Sequence, residues 1–174
     1  MKPTYHFHIT VDISNSSRES IKRFAKEHKC KVTIIELYNS DKVQTDIMLT
    51  RYGNDYQMLY DIGQDIMKEL SNTDMIPRRL KVEQLLSERP TEFIPSHYME
   101  YHVKVEDKDL LPIDGFVMSR NPREDNTRFF NARIYNECDF DIVDNSLNTI
   151  DNIISAHYEI TKYDSNLEHD RWWA

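Results

Sequence analysis

The chain has 174 residues, 39% hydrophobic and 30% charged, enough for one domain or two small fused units with a real core. Its net charge of −8 gives no broad attraction to duplex DNA or an anionic membrane, and no run approaches the roughly 20 apolar residues of a membrane span. Only three glycines occur, which excludes a Walker loop or a dinucleotide fingerprint, since both need several for backbone N–H groups to reach phosphate.

Tyr5, Phe7, Ile9 and Val11 alternate with His6, His8, Thr10 and Asp12, the period of a half-buried strand. Residues 14–17 read as a turn, with Ser16 and Glu19 as a capping box. Ile21, Phe24, Ala25 and His28 then fall on one helix face. Residues 31–37 are β-branched and read as a strand, as do 46–52, which end at Gly53. Met58, Leu59, Ile62, Ile66, Met67 and Leu70 mark a second amphipathic helix, and 79–85 a further strand. Strand, helix, strand, strand, helix, strand is the order of a ferredoxin-like unit.

Pro90 and Pro95 make 87–97 a linker. Beyond it, strands are predicted at 99–106, 116–120 and 128–135. A helical stripe follows (Ile142, Val143, Leu147, Ile150, Ile153, Ile154) with Asp139 or Asp141 as cap, then a strand at 157–163. The stretch 108–115 is too short for a helix and contains Pro112. The expected fold is therefore α+β: duplicated ferredoxin-like (βαββαβ) units at 1–86 and 98–174, the second with a reduced first helix. Their antiparallel sheets would flank a central groove in one pseudo-symmetric domain. Phe7-His8-Ile9-Thr10-Val11 lines up with Tyr101-His102-Val103-Lys104-Val105, and Leu49-Thr50-Arg51-Tyr52 with the Arg133 strand.

Alternation puts His6, His8 and Thr10 on one face of their strand, and Glu100, His102 and Lys104 on one face of theirs. His8 and His102 facing each other across a groove could act as general acid and base on a phosphodiester, with no metal or cofactor required. Thr10 and Lys104 would contact phosphate, and Arg51, Arg120 and Arg133 would stabilise charge. His8-Ile9-Thr10, and more loosely His102-Val103-Lys104, resemble the paired His-x-Thr/Ser motifs of the 2H phosphoesterases. That resemblance implies a metal-independent phosphodiesterase, a hydrolase acting on a nucleotide or RNA phosphodiester.

Three other readings compete. Glu100-Tyr101-His102-Val103-Lys104 is similar to the Glu-x-Glu-x-Lys strand of triphosphate tunnel enzymes, with Arg79, Lys81 and Glu83 alternating suitably. His6-Phe7-His8 is an H-x-H pair that could ligate zinc with Asp12 or His102. Trp172 and Trp173 would serve a non-catalytic binding module by anchoring a protein partner, or dock on the chain itself. Cys30 and Cys138 lack metal-motif spacing, and the start of the chain lacks a signal-peptide core, so a cytoplasmic protein is expected.

Overall fold

The computed structural model of the chain describes residues 4–12, 18–39, 42–107, 113–124 and 126–166. The first half comprises β1 (Thr4–Asp12), α1 (Arg18–Glu27), β2 (Lys31–Asn39), β3 (Lys42–Gly53), α2 (Tyr56–Leu70) and β4 (Ile76–Leu86). The second comprises β5 (Tyr98–Glu106), β6 (Val117–Arg120), β7 (Thr127–Ile134), α3 (Glu137–Leu147) and β8 (Ile153–Asp164).

The strands close into one antiparallel barrel in the order β1-β3-β2-β6-β7-β5-β8-β4. Two sheets flanking a groove were expected, and closure corrects this. Each half runs in the same order, β4-β1-β3-β2 and β8-β5-β7-β6, so its edges are β2 and β4, or β6 and β8. An edge strand presents unpaired N–H and C=O groups. Here β2 pairs with β6 over Glu36–Tyr38 and β4 with β8 over Lys81–Leu86, which joins the edges of the two halves and closes the ring of strands. What alternation alone left as a groove is the lumen of the barrel.

Most apolar strand residues point outward. Phe7, Ile9, Val11, Leu49, Leu80 and Val82 pack with Ile21, Phe24 and Ala25 of α1 and Leu59, Ile66 and Leu70 of α2. Met99, Tyr101, Val103, Val105, Phe130, Ala132 and Ile134 pack with Phe140, Val143 and Leu147 of α3. The helices thus close two cores on the outside of the barrel, and the alternate residues of the strands, mostly polar but including Ile35, Leu37, Met48 and Phe129, are turned into the lumen. Gly63 lets α2 lie close to β4, since a Cβ there would come within 2.8 Å of Leu80 Cδ1.

Among the described residues no helix lies between β5 and β6. Phe93 and Ile94 from the segment between the halves, with Ile113 and Phe116, cover part of that core instead. The predicted helical stripe is corrected at its end. α3 stops at Leu147, and Ile153 and Ile154 stand exposed on β8. Asn152 makes the break with φ 59°, a left-handed conformation that asparagine tolerates. The cap is Asn136 rather than Asp139 or Asp141; its side chain accepts a hydrogen bond from Asp139 N. Ser16 of the predicted capping box, Pro112, Trp172 and Trp173 lie outside the described residues. No helix among the described residues is long and apolar enough to cross a membrane.

Candidate metal centre

The barrel encloses a cavity of about 660 Å³. β1 turns His6, His8 and Thr10 into it, β5 Glu100 and His102, β7 Asn131 and Arg133, and β8 His157 and Glu159. From β4, Lys81 and Glu83 face the same way, being paired with His8 and His6 across the β1–β4 ladder.

Two triads of ligand-type atoms result. His6, His8 and Glu83 form one; Glu100, His102 and Glu159 form the other. In each, the atoms lie within 4.8 Å of one another. His6 Nε2 stands 3.4 Å from Glu83 Oε2, and His8 Nε2 3.7 Å from the same oxygen. His102 Nε2 stands 3.2 Å from Glu100 Oε2 and 3.4 Å from Glu159 Oε2. His6 Nε2 is also 3.5 Å from Glu159 Oε1 and so links the two triads. Most of these separations are long for hydrogen bonds. They match the edge of a tetrahedron of N and O ligands about 2.1 Å from a central ion, which is about 3.4 Å. His6 Nε2 and Glu83 Oε2, two of the three ligand atoms of the first triad, are buried without a hydrogen-bond partner, as waiting ligand atoms would be, and so is His6 Nδ1.

The other ring nitrogen of each remaining histidine is anchored. His8 Nδ1 is 2.7 Å from Thr50 Oγ1. His102 Nδ1 is 2.8 Å from Asn131 Oδ1, and the Asn131 amide nitrogen donates to Val117 O and Ser119 Oγ. Those two bonds orient the amide so that Oδ1 accepts from His102 Nδ1, leaving Nε2 to face the carboxylates. A neutral imidazole held in that way presents a lone pair from Nε2, as supported metal ligands do.

The charges are strongly coupled. Burial works against charging His6, but Glu159 and Glu83 outweigh it and raise its pKa to about 9. Burial is likewise outweighed at His102, which Glu100 and Glu159 hold well above the usual imidazole range. His8 is pushed well below that range by burial and by the positive charge of His6 and Lys81. Burial alone would raise Glu100 and Glu159, yet their cationic neighbours hold both well below the ordinary carboxylate range. Lys81 donates to Glu100 Oε2 at 2.7 Å and lies 2.9 Å from Glu83 Oε1, while Arg133 Nε donates to Glu100 Oε1 at 2.6 Å.

The structure therefore brings His8 and His102 into one lumen, with Thr10 on its wall. The expected phosphate clamp is not assembled. Lys104 pairs with Glu124, Arg133 with Glu100, and Arg120 with Glu36. Arg51 leaves the lumen and donates to His28 O. The alignment that matched Arg51 to Arg133 is one residue out of register. Thr50 lies opposite His8 as Asn131 lies opposite His102, so Tyr52 is the counterpart of Arg133. Contacts leading from His8 to His102 pass through Glu83, His6 and Glu159, so a phosphodiester there would meet carboxylates where it needs cations. That overturns the expected metal-independent phosphodiesterase, and with it the assignment as a hydrolase. Glu159 escaped the sequence reading altogether. Its only signal was the alternation of His157, Glu159 and Thr161 on a strand whose partners were unknown.

No family model matches the sequence, and no curated protein matches it. Similar solved structures include a protein from Lactobacillus acidophilus NCFM with a suggested monooxygenase activity (15% identity, 92% of this chain and 93% of that one, TM-score 0.32). A chlorite dismutase variant from Candidatus Nitrospira defluvii is 11% identical over 92% of this chain and 91% of that one, with a TM-score of 0.33. A dye-decolorizing protein from V. cholerae is 7% identical over 91% and 93%, with a TM-score of 0.34. None of these three names is that of a phosphoesterase. At such scores no chemistry carries across from them; the lumen's own residues must supply it.

Proposed function

We propose that this chain is a metalloprotein holding a divalent first-row transition metal in the barrel lumen through His6, His8 and Glu83. The observation that carries this reading is the spacing of three ligand atoms at 3.4 and 3.7 Å about Glu83 Oε2, with that oxygen and both His6 nitrogens lacking hydrogen-bond partners. Two imidazoles and one carboxylate suit iron, manganese or zinc rather than magnesium or calcium, which prefer oxygen alone. Two histidines and one carboxylate are also the ligand types of non-haem iron(II) sites, and iron(II) is the ion chosen for the test because nitric oxide reports its open positions. The adjoining cavity of about 660 Å³ gives those positions room for a small ligand.

The test is anaerobic titration of chelator-treated protein with iron(II), followed by nitric oxide as a reporter of open positions. The expected result is saturable binding and the half-integer-spin EPR signal of an iron–nitrosyl adduct. His6→Ala, His8→Ala and Glu83→Gln should each weaken binding by more than the roughly 10- to 100-fold lost when a supporting hydrogen bond is removed. Binding that is absent, or indifferent to all three substitutions, would show that the cluster is only an ion-pair network bracing the barrel.

A further inference from the structure

We propose that the lumen takes a second divalent ion, held by His102, Glu159 and Glu100, so that the centre is a carboxylate-bridged pair. This rests on the metal reading above and deepens it. Glu159 carries the inference, because its two oxygens face different triads. Oε1 is 3.5 Å from His6 Nε2, a ligand atom of the first site, and Oε2 is 3.4 Å from His102 Nε2. A carboxylate that turns one oxygen to each of two neighbouring imidazoles has the geometry of a bridge between two ions.

The second triad is built, not incidental. Glu100 Oε2 completes it at 3.2 Å from His102 Nε2, and all three ligand residues are largely shielded from solvent. Its histidine is fixed in the same manner as that of the first, with Asn131 standing where Thr50 stands. His6, only 1% exposed and without a hydrogen-bond partner, points into the space between the triads. Glu83, Glu100 and Glu159 bring three negative charges, against which Lys81 and Arg133 set two positive ones. Two divalent ions leave the lumen with a net positive charge. The position between them is therefore suited to an anion, either hydroxide from water or a small carboxylate.

Stoichiometry decides the matter. Chelator-treated protein is dialysed against manganese(II), and bound metal is counted by elemental analysis beside EPR at low temperature. The expected result is two ions per chain with the spectrum of an exchange-coupled pair. His102→Ala should drop the count to one and restore an isolated-ion spectrum. Glu159→Gln, nearly isosteric, should weaken the coupling while leaving at least one ion bound. Circular dichroism confirms that each variant is folded, and the wild-type count stands even if a variant is not. One uncoupled ion per chain, unchanged by His102→Ala, would overturn the second site and leave the first standing. No bound manganese would overturn the second site, and, together with no iron(II) bound in the titration above, would overturn both.

Discussion

β1 and β5 hold equivalent places in the two halves and carry a histidine at the same level, but the residue two positions earlier differs. It is His6 in β1 and Glu100 in β5. Each has a glutamate across the neighbouring strand, Glu83 or Glu159. The other neighbour is adjusted to suit. Glu100 faces Arg133, which neutralises it, whereas His6 faces Tyr52, whose ring packs 5.2 Å from the imidazole. A buried carboxylate needs a cation, and a buried imidazole tolerates an aromatic edge. The exchange makes one half rich in neutral-type ligands and the other rich in charge. The two halves should therefore fail differently when cut.

The largest effect is expected at Glu100. Glu100→Ala leaves Lys81 and Arg133 buried with one counter-charge fewer, and loss of a partner from a buried ion pair costs about 3–5 kcal/mol. Below about pH 6.5 His6→Ala likewise removes a buried cation, from beside Glu83 and Glu159; above about pH 9, where the imidazole is largely neutral, it should cost clearly less. Urea unfolding of the metal-free proteins measures both. Equal losses above about pH 9 would mean that the two halves are braced alike, contrary to the contacts around Glu100 and His6.

Acidity separates the halves next. The metal-free protein gains stability from His6 fully below its unfolded value of 6.5 and loses it as pH rises through about 9, a contribution of about 3 kcal/mol. His102, also raised, works in the same direction. His8, held low, works in the opposite one: its contribution is present above 6.5 and fades as pH falls below that value. Glu100 and Glu159 hold their contribution above about 4.5 and lose it in acid. Metal-free melting temperature should thus fall between about pH 6.5 and pH 9.5. Bound metal replaces those protons, so the rise in melting temperature on adding metal should grow over the same interval. Parallel melts with and without metal would show the two curves diverging; curves that stay parallel would exclude the histidines as ligands.

A smaller effect is expected one layer out. Thr50→Ala and Asn131→Ala each remove the hydrogen-bond partner of a histidine Nδ1, and such losses cost about 10- to 100-fold in metal affinity. Asn131→Ala should be the more damaging. Asn131 is itself fixed by Val117 O and Ser119 Oγ, whereas the Thr50 hydroxyl is free to rotate. Competition titrations with a coloured chelator would rank the two, and the reverse order would assign the firmer support to the first half.

Much of this was legible locally. The period-two pattern of β1 correctly set His6 and His8 against Phe7 and Ile9, because one face had to be buried. It could not say what lay opposite. Whether β2 meets β6 and β4 meets β8 depends on pairings between residues far apart in sequence, such as Glu36 with Arg120 and Leu85 with Glu159. Only those pairings turn isolated alternating strands into a lumen. The same limit hid Glu159, which joins His6 and His102 only after closure, and misplaced Arg51, whose likeness to Arg133 was one residue out of register. The H-x-H pair was visible as a metal motif, but its carboxylate, Glu83, lies on a strand whose pairing with β1 no spacing rule announces.

The smallest effect tests the two halves at their helices. Asp55 caps α2 by accepting from Met58 N at 2.8 Å, and the first turn of that helix carries no other acid. Asn136 caps α3 by accepting from Asp139 N at 3.0 Å, with Glu137 and Asp139 already in its first turn. Both supply the needed acceptor, so alanine at either should cost about 1 kcal/mol. Charge distinguishes them. Asp55→Asn removes the only acid at the positive end of the α2 dipole and should cost a further few tenths of a kcal/mol. Asn136→Asp adds a third negative charge where two already stand, so repulsion should cancel most of the dipole gain. Chemical denaturation at low salt should resolve the difference, and it should shrink as salt is added. A salt-independent difference would place it in cap geometry, not in charge.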